Sequence, residues 1–159
     1  MTQGKSAGMG LLALTTLASA LAQTPSDVRS PEASTQTARK AEQFVNERLS
    51  VWTKRLNLDG WQISIVMTRH DDLKANTLGG IRWDKAKKSA VIKVQDASDY
   101  RLPLEEMLND MEFTIVHELV HLELASLPRS EASRSSEEHA VNQIADALLR
   151  LDRKQAQER

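Results

Sequence analysis

The chain has 159 residues, 40% of them apolar, with 21 basic and 22 acidic side chains and a formal charge of −1. That length supports one domain with a modest core, and the near-balanced charge gives no reason to expect nucleic acid or an anionic surface as the main partner. There is no cysteine, which excludes disulfides, thiolate metal sites and a lipid-anchored cysteine.

Lys5, the mostly apolar run Met9 to Leu21, and the small-x-small sites Ala18-Ser19-Ala20 and Ala20-Leu21-Ala22 read as a secretory signal peptide over residues 1–22. The run is too short to span a bilayer comfortably. The expectation is an exported protein, periplasmic or secreted, with no stable membrane insertion once the signal is cleaved; an uncleaved chain would be cytoplasmic. The plainer alternative is a weakly helical tail. Residues 23–36, rich in Pro, Ser and Thr, read as a flexible linker. The domain proper is expected over 37–153, with a charged, frayed tail at 154–159.

Within the domain, Ala41, Phe44, Val45, Leu49, Trp52 and Leu56 predict a helix from about 37 to 56. Asp59-Gly60 is a turn. Trp61 to Ile65 alternates as a strand that Met67 extends, and residues 71–76 are a loop. Gly79 to Trp83 predicts a short strand, 84–88 a basic turn, and Ala90, Ile92 and Val94 one face of a third strand, so that 79–95 is a hairpin. Pro103 takes a favoured first helical position of a long helix that Pro128 ends. Residues 127–136 form a polar loop. A last helix, from about 136 to 153, buries Val141, Ile144, Ala145 and Leu148. No internal repeat is visible.

The long helix contains His117-Glu118-Leu119-Val120-His121. Residues four apart on a helix lie about 40° apart around the axis, so two imidazoles can converge on one metal ion. Glu118, about 100° from His117, is badly placed to be a ligand but can reach a water on that metal. Two ligands and one base are what a zinc hydrolase requires. Phe113, Val116, Val120 and Leu124 line the histidine side, and Met111, Ile115, Leu119 and Leu122 the opposite side. A helix apolar nearly all round is buried, and burying Glu and two His is costly unless they are paired or metal-bound. The bland alternative is a chance five-residue pattern in a helical protein that binds no metal.

A catalytic zinc site needs a third protein ligand and keeps its fourth position for water. Glu137 and Glu138 both lie near the buried stripe of the last helix, while His139 points away. The helical wheel slightly favours Glu137. Glu138 has a structural alternative, because Ser135-x-x-Glu138 matches a capping box. Periodicity alone leaves the two open. His70 lies in a polar run and reads as a solvated loop residue.

With both helices in view, the chain resembles a small gluzincin, in particular the ImmA/IrrE-type metallopeptidases. These pair HExxH with a second helix of the form Glu-x-x-x-Asn-x-Phe-Ala-x-x-Leu-Leu, matched here by Glu138, Asn142, Ile144 (for Phe), Ala145, Leu148 and Leu149. The match covers roughly residues 60 to 150 as an order of elements, but only the two helices carry specific motifs. It implies an α+β, minimal zincin-like fold: a small sheet, an HExxH active-site helix and a following Glu-bearing helix. It also implies Zn²⁺ held by His117, His121 and Glu138, with Glu118 as base and Asn142 orienting a ligand. Thermolysin-like enzymes carry an acidic residue at that last spacing, so Asn142 is a mild departure.

The expected activity is hydrolysis of peptide bonds in a peptide or protein substrate, which a sheet edge would hold as an added strand. The 79–95 hairpin is the expected edge. Gly79-Gly80 would let a peptide backbone approach closely, or simply form a bulge or turn. Lys85, Lys87 and Lys88 read as a solvated turn that protects the edge. Tyr100, Arg101, His70 and His139 are the nameable donors for a tetrahedral oxyanion, with nothing to rank them. The alternative function is a non-catalytic zincin-like module acting through a protein partner.

Overall fold

The computed structural model describes residues 31–74, 77–128, 130 and 133–158. The expected signal and the first part of the expected linker, residues 23–30, lie outside them. Among the described residues the fold is α+β, with three α-helices and one three-stranded mixed sheet.

Helix α1 runs Pro31–Arg55 and buries Ala41, Val45, Leu49 and Trp52, one residue per turn. It starts six residues earlier than its apolar stripe predicts, so 31–36 are helix rather than linker. Glu32 in the first turn and Lys54 and Arg55 in the last suit the helix dipole. Asn57 ends it in the left-handed region, φ 54°. There Leu58 N–H reaches the Thr53 carbonyl at 2.9 Å and Asn57 N–H that of Lys54 at 3.1 Å, while Leu58 itself is buried. That is a Schellman ending, with Asn in the position that tolerates it.

Strands β1 (Gln62–Thr68), β2 (Gly79–Asp84) and β3 (Ser89–Gln95) lie in the order β1-β3-β2. β2 and β3 form the expected antiparallel hairpin, and β1 runs parallel to β3 with Ile65 opposite Ile92. The helices cover one face, where Ala90, Ile92 and Val94 are buried as the alternation predicts. Ser64, Val66, Arg82 and Val91 point to the other, open face. Both β1 and β2 are edges.

Helix α2 is Leu104–Glu123, with Pro103 as its cap rather than its first residue. Helix α3 is Arg134–Gln157: it begins two residues early and turns most of the expected frayed tail into helix. A charged network ties the three helices together. Glu112 of α2 accepts from Trp52 Nε1 at 2.7 Å and pairs with Arg48 of α1. Arg48 also reaches Asp152 of α3 at 2.6 Å, as does Arg55. Burial opposes the charge on Asp152, but Arg55 and Arg48 outweigh it and hold the carboxyl below its usual range. Among the described residues, no helix is long and apolar enough to cross a membrane.

Candidate metal centre

The site lies where α2 meets the first turns of α3. α2 is wedged in the core by Met107, Met111, Ile115, Val116, Leu119 and Leu122. Lys85 of the β2–β3 turn holds its far end by donating from Nζ to the Ala125 carbonyl, so this lysine is an anchor as well as a solvated turn residue. Val141, Ala145 and Leu149 seat α3 against the same core. This packing fixes His117, Glu118 and His121 on one side and Glu137, Glu138 and Asn142 on the other.

His117 Nε2 and His121 Nε2 are 3.1 Å apart. Glu138 Oε2 lies 3.4 Å from each of them. The outer nitrogens also meet acceptors: His117 Nδ1 is 3.0 Å from Asn142 Oδ1, and His121 Nδ1 is 3.1 Å from Glu137 Oε1. A carboxylate is only an acceptor, so His121 Nδ1 carries a proton, and Asn142 Oδ1 assigns one to His117 Nδ1 in the same way. In the neutral form each imidazole has one N–H, so each Nε2 then presents a lone pair. Burial, and then the proximity of His121, holds His117 below its usual pKa, which keeps it neutral near pH 7.

Three lone-pair donors thus face one another at 3.1–3.4 Å. Such a set is repulsive unless a proton or a metal ion sits among the donors. His117, His121 and Glu138 form a group that could hold a metal ion. Glu138 is half exposed, so the group opens to solvent on its side.

The geometry gives the two glutamates different jobs. Glu138 turns its carboxylate to the histidine Nε2 atoms, while Glu137 backs His121 from behind. The capping-box alternative for Glu138 does not form. The helix is already under way at Arg134, its cap residue is Ser133, and no side chain caps it. Asn142 stands one turn beyond Glu138, against His117.

Glu118 is buried on α2 beside these residues. Burial, with the charge of Glu138 second, raises its carboxyl to about 7. Its Oε1 faces the start of β2, where a Cβ built on Gly79 would come within 3.7 Å of it. That same Cβ would collide with Thr114 Cγ2 and come within 2.7 Å of the Lys93 carbonyl. A side chain at Gly79 is therefore excluded by the close packing of α2 against the sheet. Gly80 has no atom within 4 Å of its Cβ direction and does face open space.

The remaining named candidates are scattered. Tyr100 donates its hydroxyl to Asp110 at 2.9 Å, two turns before His117; burial and that carboxylate push the phenol well above its usual pKa. His70 is exposed in a short 3₁₀ turn with Nδ1 3.3 Å from Gln95 Oε1, as a loop residue should be. Arg101 and His139 are exposed. Spacing alone could not tell that Glu137 meets His121 Nδ1 while Glu138 meets the two Nε2 atoms. Comparison with protein-family models gives no match, and comparisons with curated proteins and with solved structures give none either.

Proposed function

We propose that the protein is a small zinc peptidase of gluzincin type, a zincin-like domain similar to the ImmA/IrrE-type metallopeptidases. His117, His121 and Glu138 would hold Zn²⁺, with Glu118 as general base. The observation that carries this reading is the triangle of donors. Zinc takes imidazole nitrogen and carboxylate oxygen at about 2.0–2.1 Å in a tetrahedral shell, which sets neighbouring donors about 3.3 Å apart. The triangle has edges of 3.1, 3.4 and 3.4 Å. Two nitrogens and one oxygen also suit zinc better than the all-oxygen preference of Ca²⁺ and Mg²⁺. Three protein donors match a catalytic rather than a closed structural site.

When bound, zinc supplies Lewis acidity toward a carbonyl oxygen and toward water. The chain supplies the rest. Glu118 accepts the proton of the attacking water and passes it to the leaving amine. Burial raises its carboxyl, and a cation at the neighbouring donors would offset that shift and keep it ionised at neutral pH. Asn142 and Glu137 fix the imidazole tautomers. The β2 edge supports an extended peptide as substrate. Gln95 N–H bonds to the Leu78 carbonyl at 3.0 Å, so the ladder to β3 uses residues 78, 80, 82 and 84 in alternation. The backbone groups of Gly79 and Ile81 then point away from β3, toward the edge where an added strand could pair, beginning at the residue beside Glu118.

The test is Glu118→Gln assayed on unfolded protein and peptide libraries. Its zinc content should equal that of the wild type while hydrolysis falls about 10²–10⁴-fold. Cleavage at the wild-type rate would remove Glu118 from the role of base. Bound zinc with no cleavage by the wild type would favour a non-catalytic, partner-binding module.

A further inference from the structure

Two surfaces leave apolar side chains in solvent. One is the outer side of α3, where Ile144 is exposed although its spacing predicts burial; the other is the open face of the sheet, with Val66 and Val91. The second also carries a charge pattern. Residues 79–95 hold five basic and one acidic side chain, a balance of +4, whereas the remainder of the chain balances to −5. This basic stretch is the β2–β3 hairpin, and β2 is the edge that the peptidase reading gives to the substrate.

The five cations are not equivalent. Lys85 is engaged with the Ala125 carbonyl, Lys87 pairs with Asp84, and Lys93 turns to the Asp72 carbonyl at 3.4 Å. Lys88 Nζ lies beside Gly60, 3.8 Å from where a Cβ would stand. Asp84, the one acid, also accepts from the Ala86 and Lys87 N–H groups of the turn. Arg82 differs from all of these. It belongs to the edge strand itself and is exposed on the open face. Its guanidinium has no ion pair or hydrogen bond among the described residues. Its neighbour across the ladder, Val91, is uncharged, and Gly80, two residues along on the same face, leaves open space beside it.

Granted the peptidase reading, on which this depends, we infer that Arg82 reads an acidic side chain of the peptide. The substrates are then peptides with aspartate or glutamate about three residues to the N-terminal side of the cut. Residues opposite one another in an antiparallel ladder put their side chains on the same face. Arg82 gives its backbone bonds to β3, so toward an added strand it stands in a non-hydrogen-bonded pair, where the Cα atoms are only about 4.5 Å apart. The peptide side chain opposite Arg82 therefore lies beside the guanidinium, whose forked donors fit a carboxylate. Glu118 stands at Gly79, so the cut lies near the peptide residue opposite Gly79. In an antiparallel peptide the residue opposite Arg82 is three places toward the N-terminus, about 10 Å away. That separation is about one Debye length, which spares the acidic side chain the repulsion of Glu118 and Glu138.

Extended fluorescent peptides that carry Glu, Gln or Lys at each position in turn test the assignment. Cleavage by the zinc-loaded wild type locates the cut, and anisotropy with zinc-loaded Glu118→Gln measures binding without turnover. Glu three residues before the cut should bind about two- to fivefold more tightly than Gln there, with the gain fading at high salt. Arg82→Gln should abolish that preference and Arg82→Glu should turn it toward Lys. Lys40→Gln, which removes the same charge from an exposed position on α1, should retain it. A preference that survives Arg82→Gln, that is lost equally in Lys40→Gln, or that lies on the C-terminal side of the cut would overturn the role of Arg82. So would peptide cleavage with no acidic preference at all, which leaves the peptidase reading intact. Binding with the Arg82-dependent preference but no cleavage would keep this subsite and remove the peptidase reading; a wild type that neither binds nor cuts any peptide would remove both.

Discussion

Gly79 and Gly80 are neighbours on β2 with opposite expectations, which makes them an internal control. A methyl at Gly79 collides with Thr114 Cγ2 and lies 2.7 Å from the Lys93 carbonyl. Thr114 is buried on α2 and the carbonyl belongs to a paired strand, so neither can swing aside as a flexible side-chain tip could. Relief requires β2 to move away from α2. Overpacking of this kind costs about 1–3 kcal/mol, which lowers the thermal midpoint of a domain this size by roughly 4–12 °C. At Gly80 there is nothing within 4 Å, and no described glycine has positive φ. Alanine there adds no clash and reduces the freedom of the unfolded chain, raising stability by about 0.4–1 kcal/mol. Thermal and urea unfolding of Gly79→Ala and Gly80→Ala measure the difference directly. Equal midpoints for the two variants would refute the close packing of α2 on β2. Replacing Thr114 by Ala in the Gly79→Ala background should recover part of the loss, because it removes one of the two obstacles.

Glu137→Ala and Asn142→Ala leave all three proposed metal donors in place but each remove the acceptor from an imidazole Nδ1–H. Each should weaken metal binding about 10–100-fold, measured by competition with a chromogenic chelator; unchanged affinity would mean the tautomers are set elsewhere. Asp152 has a folded-state pKa below its ordinary value because the two arginines outweigh burial. Its contribution to stability is therefore present above about pH 4 and lost as pH falls through the lower folded value. Asp152→Asn should be less stable than the wild type at neutral pH, and the gap should close as pH falls through the lowered folded value; a gap that does not change with pH would contradict the pairing.

Much of this architecture is legible in the sequence because short-range periodicity carries it. The stripe from Ala41 to Trp52, the alternation of Ala90, Ile92 and Val94, and the spacing of His117 and His121 each report a local geometry that the structure shows. What periodicity misses is of two kinds. The first is composition masking structure: residues 31–36 look like a linker because Pro31, Ser34 and Thr35 favour turns, yet helix propagation from the buried stripe carries them along. The charged end of α3 is helical for the same reason. The second is long-range placement. Alternation marks a buried face but not which strand lies beside it, so the parallel pairing of β1 with β3 could not be read. Nor could the reach of Arg48 to Glu112 and Asp152, or of Lys85 to the end of α2. Glu137 and Glu138 differ by about 100° on α3, and a wheel referred to the buried stripe cannot say where the histidines sit relative to it. Only the docking of α2 against α3 tells the two apart.

Zinc content of the purified chain, measured by elemental analysis beside Glu138→Ala and Glu137→Ala, tests the central claim most directly. The donor triangle predicts one zinc per chain in the wild type, lost in Glu138→Ala and retained at saturating zinc in Glu137→Ala. A wild type that takes up no zinc after reconstitution would contradict the proposed centre and leave His117-Glu118-Leu119-Val120-His121 as a coincidence of a buried helix. Loss in Glu137→Ala with retention in Glu138→Ala would exchange the ligand and backing roles assigned to the two glutamates.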